Sequence, residues 1–255
     1  MSGSRQCKEF AGRLGADLAG VADLGPFKRA GGAVPADLLE PYTCAVSIAV
    51  RLDDAIISGI RGEPTPEYAR HYRAVNAALD SIAARLVSWI TEQGFRGLAV
   101  PASEVVDQEN LLGSVSHKAI ARMAGLGWQG KSLLIVSPQY GPRIRLASVL
   151  TDLPLRPDRP LKNRCGTCAA CATACPVRAI KNVRTANSYA SREQALRFER
   201  CIEHTRQFRA RPELGASLCG VCVKACPFGR GLRRSEDHDA SPLPEVERCL
   251  GEICG

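Results

Sequence analysis

The stretch from Cys165 to Pro176, CGTCAACATACP, decides how this sequence is interpreted. Its cysteines follow the spacing C-x2-C-x2-C-x3-C-P, with which bacterial proteins hold cubane iron–sulfur clusters. A second run from Cys219 to Pro227, CGVCVKACP, repeats most of this pattern farther along the chain. The rest of the chain is therefore expected to take part in a reaction that uses electrons held at, or delivered to, this site.

Both runs are needed to build the predicted ligand sets. A cubane takes four thiolates, and the fourth cysteine of one run commonly ligates the other cluster in two-cluster proteins. The two runs supply seven cysteines, and Cys201, in a predicted helix from Ser191 to Arg209, is the candidate for the eighth. We predict one 4Fe–4S cluster on Cys165, Cys168, Cys171 and Cys226, and a second on Cys175, Cys201, Cys219 and Cys222.

Zinc is the alternative metal, because it also uses C-x2-C pairs in sets of four. Tetrahedral zinc requires neither the third cysteine at x2, nor the fourth at x3, nor the proline after each run. Of the other cysteines among the twelve in the chain, Cys7 and Cys44 are interpreted as buried structural thiols. Cys249 and Cys254 are either bystanders or a redox or metal-binding pair on the C-terminal tail.

The expected compartment follows from the N-terminal sequence and from the absence of long apolar runs. The N-terminal sequence MSGSRQCKE contains no apolar h-region, and no apolar run of about 18 residues occurs in the chain. We therefore expect a cytoplasmic protein with no membrane association, in a compartment where thiols stay reduced.

The basic charge is concentrated in the cysteine-containing segment. Of a formal net charge of +8, residues 156–234 carry 17 lysines and arginines against 5 acids, a local excess of 17 − 5 = +12. Two clusters, each with a charge of roughly −2, would offset about four of these charges. The remainder is solvated surface, a docking face for an acidic electron-transfer partner, or a tRNA footprint.

The first part of the chain predicts an α/β (α+β) domain. A long amphipathic helix is expected to begin at Thr65-Pro66, where threonine can cap and proline is tolerated, and to end near Gly94. Shorter predicted elements are a helix over Ser4–Leu14, strands over Ala16–Leu24, Tyr42–Val50 and Leu98–Val100, and a helix capped by Ser116. A stiff connector with three prolines precedes the cysteines, so we predict domains over 1–155 and 156–235 and a tail over 236–255.

Two strands and two connections complete this part. Ser132–Ser137 and Ile144–Thr151 are predicted to pair as antiparallel strands across a turn. Residues 102–115 are predicted to form a long loop of the kind that often carries a binding or lid function. The turn AGLGWQGK, Ala124 to Lys131, has three glycines around a tryptophan, and these let the backbone approach another group closely.

These motifs resemble a known group of enzymes. The AGLGWQGK turn, the LTDLP segment from Leu150 to Pro154 and the cysteine run resemble the epoxyqueuosine reductases of tRNA modification, and PQYGPRIR from Pro138 to Arg145 is similar to the respiratory reductive dehalogenases. Both families bind cobalamin on a nitroreductase-like domain fused to a two-cluster ferredoxin module. The resemblance, over roughly residues 65–230, implies a nitroreductase-like corrinoid-binding domain followed by a bacterial ferredoxin-like module.

The resemblance also implies a corrinoid between the two parts, with the nearer cluster supplying its electrons. It implies contacts to the macrocycle from Gly125, Gly127, Trp128, Gly130 and Lys131, and contacts to its side chains from Tyr140, Gly141 and Arg143. A flat macrocycle fits backbone that carries no side chains and an apolar wall.

The sequence departs from the family at its proton donor. Epoxyqueuosine reductases carry an aspartate seventeen residues before the tryptophan, where this chain has Leu111, and the nearest comparable acid is Asp107. A family glutamate eleven residues before the tryptophan is His117 here, which is either an acid or an ordinary helix-start residue. Neither the C-terminal helical repeats of the tRNA enzymes nor the twin-arginine signal of exported dehalogenases is recognised in the sequence.

Three functions remain after this comparison. The first is a cobalamin-dependent iron–sulfur reductase, with Asp107 and His117 as catalytic candidates. The second is a corrinoid-reducing or ferredoxin-type electron-transfer protein without substrate chemistry, and the third, a plain two-cluster carrier, is disfavoured by the glycine-rich turn. Expected partners are a low-potential donor such as ferredoxin or flavodoxin, and a corrinoid protein for the second function; tRNA is disfavoured because the expected aspartate is missing.

Overall fold

The structure, a computed structural model, describes residues 3–31, 35–108 and 111–229. The helices of the first part are α1 Gly3–Arg13, α2 Gly25–Arg29, α3 Asp54–Gly59, α4 Pro66–Glu92 and α5 His117–Met123. The strands are β1 Leu18–Asp23, β2 Cys44–Arg51, β3 Gly97–Val100, β4 Trp128–Gln129, β5 Ile135–Val136 and β6 Ile144–Thr151. The cysteine-containing segment adds α6 Ala170–Ala174, α7 Arg192–Ala195, α8 Phe198–Arg209 and α9 Val221–Ala225.

A four-stranded antiparallel sheet in the order β1-β2-β6-β3 forms the centre of the first part. Because side chains alternate along a strand, β2 contributes to both faces: Val46 and Ile48 pack with α4, whereas Ala45 and Ala49 pack with α5. Both faces of the central strands are therefore buried. The predicted α/β class is confirmed.

Helix α4 is the longest element and matches its sequence prediction. The hydroxyl of Thr65 accepts a hydrogen bond from the backbone N–H of Tyr68 at 3.2 Å, and Pro66 occupies the start of the helix, where its missing N–H costs nothing. Its apolar stripe, from Val75 through Leu86 to Ile90, is buried against the sheet. The cap and the stripe that predicted the helix are therefore the features that stabilise it.

Two sequence predictions of local structure are wrong. β5 pairs with β4 in a separate two-stranded sheet, and β6 pairs with β2 and β3 instead of forming a hairpin with the residues before it. The long β6, most of whose residues are buried, gains two partners in the centre of the large sheet, which outweighs the proximity of β5. The predicted helix over Ser191–Arg209 is also broken, because Leu196 is extended and bridges to Ile180 between α7 and α8.

The cysteine-containing segment packs directly on the α/β part. Phe208, Leu214 and Leu218 belong to the same buried cluster as the apolar stripe of α4. The predicted domain boundary after residue 155 stays a prediction. No helix in the described part of the chain combines the length and the apolar character that a membrane span requires.

Candidate functional site

Four cysteines surround a small cavity, here called the cysteine cavity. Cys165, Cys168, Cys171 and Cys226 line it together with Pro227, Phe228 and the end of the glycine-rich turn, Gly130 to Ser132. The loop closes tightly because the backbone N–H of Cys168 donates to the carbonyl of Cys165 at 3.0 Å and Gly166 takes a left-handed φ of 48°. This set is the first of the two predicted from spacing.

The second cysteine group consists of Cys175, Cys201, Cys219 and Cys222. Burial raises the pKa of the Cys201, Cys219 and Cys222 thiols, and the nearby cysteines of the group raise each of them further. Cys201 reaches the group from α8 and Cys222 from α9. These thiols thus lie near one another, and the assignment of the eight cysteines to two clusters stays a prediction.

The chemistry of both groups fits iron–sulfur clusters. Burial raises the pKa of Cys226 to about 11, with further increases from Cys165 and Cys171, so bare thiolates are unfavourable and bound iron would offset their repulsion. In the described ranges, no three histidine, cysteine or acidic side chains converge on a single ion. The cysteines of the first set instead line the wall of a cavity.

Two of the remaining cysteines, Cys7 and Cys44, lie in α1 and β2 of the α/β part. Cys7 is fully buried, and this burial raises the pKa of its thiol to about 12. Cys44 is 6 % exposed in β2, and its thiol lies 3.5 Å from the carbonyl of Leu155. Cys249 and Cys254 lie outside the described residues, so their role stays a prediction.

A second cavity, here called the large cavity, has a volume of about 470 Å³. One side is formed by residues 111–118 and by Ile144, Arg145 and Leu146 of β6; the other includes Tyr189 and Arg192. Cys201 and Cys222 also line it. The large cavity therefore shares a wall with the second cysteine group.

His117 lines the large cavity at the start of α5. Its Nδ1 lies 2.9 Å from the hydroxyl of Ser148, and its Nε2 lies 2.9 Å from the carbonyl oxygen of Pro101. Burial lowers the pKa of His117 below its ordinary 6.5, against the opposing effect of the Pro101 carbonyl. A neutral ring that donates from Nε2 and accepts at Nδ1 satisfies both contacts.

Asp107 does not line the large cavity, and its backbone forms an antiparallel bridge with Leu112 in the loop. Charged residues that the sequence patterns did not single out do line it, among them Glu104, Lys118 and Arg192. Glu104 accepts hydrogen bonds from the backbone N–H and the hydroxyl of Ser114. The sequence could have indicated Lys118 as a site residue, because it follows the candidate His117 at the N-terminal end of a predicted helix.

The side chain of Lys118 lines the large cavity and is a positively charged group of this site. Surrounding protein atoms lower the pKa of Lys118, and the charge of Arg145 lowers it further, although solvent reaches the side chain through the cavity. The guanidinium of Arg145 donates to Tyr72 at 2.9 Å and lies 4.2 Å from the ring centroid of that tyrosine. The cavity thus contains acidic, basic and imidazole groups.

The glycines and the tryptophan of the glycine-rich turn lie against neighbouring backbone and the cysteine loops, and only Gln129 of the turn lines the large cavity. Trp128 is fully buried and meets the ring of Phe228 edge-on at 4.9 Å. A Cβ on Gly127 would lie 2.4 Å from the carbonyl oxygen of Val136, and one on Gly125 would lie 2.7 Å from that of Arg159. The turn therefore uses its glycines to pack backbone on backbone.

The other predicted corrinoid contacts also lie where the α/β part packs against the cysteine-containing segment. Arg143 donates to the carbonyl oxygen of Phe228 at 2.7 Å, and a Cβ on Gly141 would lie 2.1 Å from that oxygen. Tyr140 stacks under Arg51, and Lys131 bonds to the first cysteine loop. The residues that line the large cavity are instead their chain neighbours Gln129, Ser132, Leu133, Pro142 and Ile144.

Comparison with known proteins agrees with this geometry. Residues 164–229 match the family described as the 4Fe-4S double cluster binding domain. The epoxyqueuosine reductase of Gloeobacter violaceus is 32% identical over 204 residues, which cover 71% of this chain and 58% of that enzyme. The match to the epoxyqueuosine reductase of Bacillus subtilis is 31% identical and covers 54% of this chain and 35% of that enzyme. The chain thus spans between about a third and somewhat more than half of the length of these two relatives.

Two solved structures share the fold. A catabolic reductive dehalogenase superposes with a TM-score of 0.69 at 23% identity, covering 88% of this chain and 31% of that one. An epoxyqueuosine reductase solved with an epoxyqueuosine-modified tRNA stem loop superposes with a TM-score of 0.59 at 23% identity, covering 89% of this chain and 65% of that one. The chain therefore resembles the epoxyqueuosine reductases and the reductive dehalogenases in sequence and fold, with a double 4Fe–4S cluster-binding region at residues 164–229.

Proposed function

We propose that this protein is an iron–sulfur oxidoreductase of the epoxyqueuosine reductase type, with 4Fe–4S clusters at the two cysteine groups and a cobalamin in the large cavity. The shared wall carries the proposal: Cys201 and Cys222 line the large cavity. A group bound there would lie beside the second cysteine group, within reach of electrons from a cluster that this group would hold.

The large cavity fits a corrinoid in its chemistry. Leu133, Ile144 and Leu146 give it an apolar wall, and Gln129 and Ser132 offer polar atoms at its edge. A bound cobalamin would supply a cobalt centre that accepts single electrons and returns them to a substrate. The chain's own residues fix the position of the ring, keep water from one face and supply protons.

Three side chains are candidates for proton supply. His117 is neutral and bonded at both ring nitrogens, whereas Glu104 and Lys118 line the cavity with charged ends. Desolvation by the surrounding protein atoms, and after it the charge of Arg145, lowers the pKa of Lys118. A proton therefore leaves Lys118 more easily than it leaves a lysine in water.

Electrons would enter at the first cluster. Cys168 is exposed, and the exposed basic residues Lys162, Arg164 and Lys181 lie in the same segment. A low-potential acidic donor of the ferredoxin or flavodoxin type fits this charge, because complementary charge steers association. We place the protein in the cytoplasm, where such donors are reduced.

A second candidate function is reduction of a corrinoid or a partner protein without substrate chemistry. It is favoured by the arrangement of His117, whose ring nitrogens are both engaged, and by Asp107, which stays outside the large cavity. The tRNA stem loop bound by an epoxyqueuosine reductase keeps tRNA as a candidate substrate here, although the missing aspartate disfavours it. The basic segment over 156–234 is its binding face in that case.

Anaerobic purification tests the clusters first. We expect about eight irons with matching sulfide per chain, and a broad absorbance shoulder that dithionite bleaches. Two zinc ions without sulfide would contradict the cluster assignment.

Titration with cobalamin tests the large cavity. We expect saturable binding with a base-off spectrum, as the resemblance to the two corrinoid-binding families implies. Leu134→Trp, at a half-buried position on the cavity wall, should abolish binding and keep the iron. Val183→Trp, at a site 44 % exposed outside the cavity, is the matched control and should bind normally. Equal binding by both variants would place the corrinoid elsewhere.

A further inference from the structure

Lys131 is a lysine that is only 3 % exposed, and it lines the cysteine cavity. Its ammonium donates to the carbonyl oxygen of Cys168 at 2.8 Å and to Oδ1 of Asn182 at 2.9 Å. Both acceptors are neutral, so neither cancels the positive charge. Burying an ammonium without a negative partner is unfavourable. A negatively charged group in the adjacent cysteine cavity would offset this cost.

No carboxylate of the described residues forms an ion pair with Lys131. A cluster bound in the cysteine cavity would supply the negative charge that faces Lys131. Four thiolates holding a 4Fe–4S cluster carry roughly −2 in total, and reduction by one electron adds another negative charge. The ammonium therefore stabilises the reduced state more than the oxidised state.

The backbone holds Lys131 close to this cavity. A Cβ on the preceding Gly130 would lie 2.8 Å from Cγ2 of Val136 and 3.7 Å from the sulfur of Cys165, so the turn runs directly past the first cysteine. Asn182 takes a left-handed φ of 61°, a conformation that asparagine tolerates better than most residues. The amide of Asn182 thereby reaches the ammonium from the other side.

The second cysteine group has a different electrostatic environment. Lys118 lies near Cys201, but its side chain is exposed, whereas the side chain of Lys131 is buried. A buried cation beside one cluster and an exposed cation beside the other act on the two potentials unequally.

We propose that Lys131 is a positioning residue that selectively raises the reduction potential of the first cluster. This inference rests on the cluster assignment of the proposed function. The step it favours is a single-electron transfer in which the reduced donor loses one electron, the first cluster gains it and no proton moves. The first cluster thereby becomes the entry point that accepts electrons from the donor.

The test is an EPR-monitored redox titration of the holoprotein and of Lys131→Gln. Glutamine removes the charge and keeps a side-chain N–H that can donate to Cys168. We expect about a tenfold lower ratio of reduced to oxidised first cluster at a given potential, a shift of about 59 mV to more negative potential for a one-electron couple. The potential of the second cluster should stay the same. Cys201→Ala, which leaves the first cluster alone under the proposed ligand sets, assigns the signals.

Two further variants separate charge from structure. Asn182→Asp places a carboxylate on the ammonium and keeps its hydrogen bond, so it should shift the same potential in the same direction even if Lys131→Gln loses its cluster. Lys162→Gln makes the same charge change at an exposed site three residues before Cys165 and should shift it much less. Unchanged first-cluster potentials in both Lys131→Gln and Asn182→Asp, or equal shifts of both clusters, would overturn the inference. A wild-type protein without iron would instead overturn the proposed function.

Discussion

The cysteine cavity and the large cavity are neighbours built in different ways. Three of the four cysteines in the cysteine cavity come from one short loop, Cys165 to Cys171, and only Cys226 comes from elsewhere. The large cavity takes its walls from β6, the start of α5, residues 111–116 and the cysteine-containing segment. A site made by local spacing is visible in the sequence, whereas a site made by packing of distant elements is not.

The largest expected effect is on iron content, on replacement of Cys201. This residue lies outside both cysteine runs and reaches the second group from α8. Cys201→Ala should lower the iron content from about eight to about four per chain, because a cubane held by three thiolates is readily lost. Iron and sulfide analysis after anaerobic purification measures this. Cys7→Ala removes a buried thiol outside the groups and should keep all the iron. Full iron in Cys201→Ala would show that another residue supplies the ligand.

A smaller effect is expected at Gly141, which packs against Phe228 of the cysteine-containing segment. Gly141 has a φ of 56°, and a Cβ there would lie 2.1 Å from the carbonyl oxygen of Phe228. Gly141→Ala should lower the free energy of unfolding by about 3 kcal/mol, because the backbone at residue 141 and the backbone at Phe228 both have to move. The thermal unfolding midpoint of the holoprotein measures this.

Gly166→Ala is the control for Gly141→Ala. Gly166 has a similar φ of 48°, but a Cβ at this position would meet no atom within 4 Å. The control therefore isolates the backbone strain, which is about 1 kcal/mol. Equal decreases of the thermal unfolding midpoint in the two variants would mean that the close contact with Phe228 adds nothing to the cost of Gly141→Ala.

The smallest expected effect is the pH dependence due to His117. Its folded pKa lies below the ordinary 6.5 because of burial, with Arg145 lowering it and Glu104 and Asp80 raising it. Below about pH 6.5 the unfolded chain therefore binds more protons at this position than the folded chain, and stability falls as the pH drops toward the folded pKa. Above that window the contribution of His117 is constant.

Denaturant unfolding of the wild type and His117→Gln between about pH 5.5 and about pH 7.5 measures this contribution. The wild type should lose more stability than the variant on the acidic side. A difference between the two proteins that stays constant across the range would show that His117 does not titrate differently in the folded state.

Local signals predicted much of this molecule. The cap and apolar stripe of α4 depend on residues within one segment, and so do the cysteine spacings, which indicated the 4Fe–4S clusters. The division of the eight cysteines between the two clusters stays a prediction. The predicted partner of β5 was wrong because strand pairing depends on which strand offers the better buried partner. The break near Leu196 was missed because it depends on a bridge to Ile180.

The sequence by itself determined the metal chemistry, since a thiolate set is fixed by residue type and spacing. Only the tertiary structure decided that Lys131 lines the cysteine cavity, that Asp107 stays out of the large cavity, and that Glu104 and Lys118 line it. The physical reason is that a side chain's environment is set by atoms from other elements. No pattern along the chain records how β6, α5 and the cysteine loops meet.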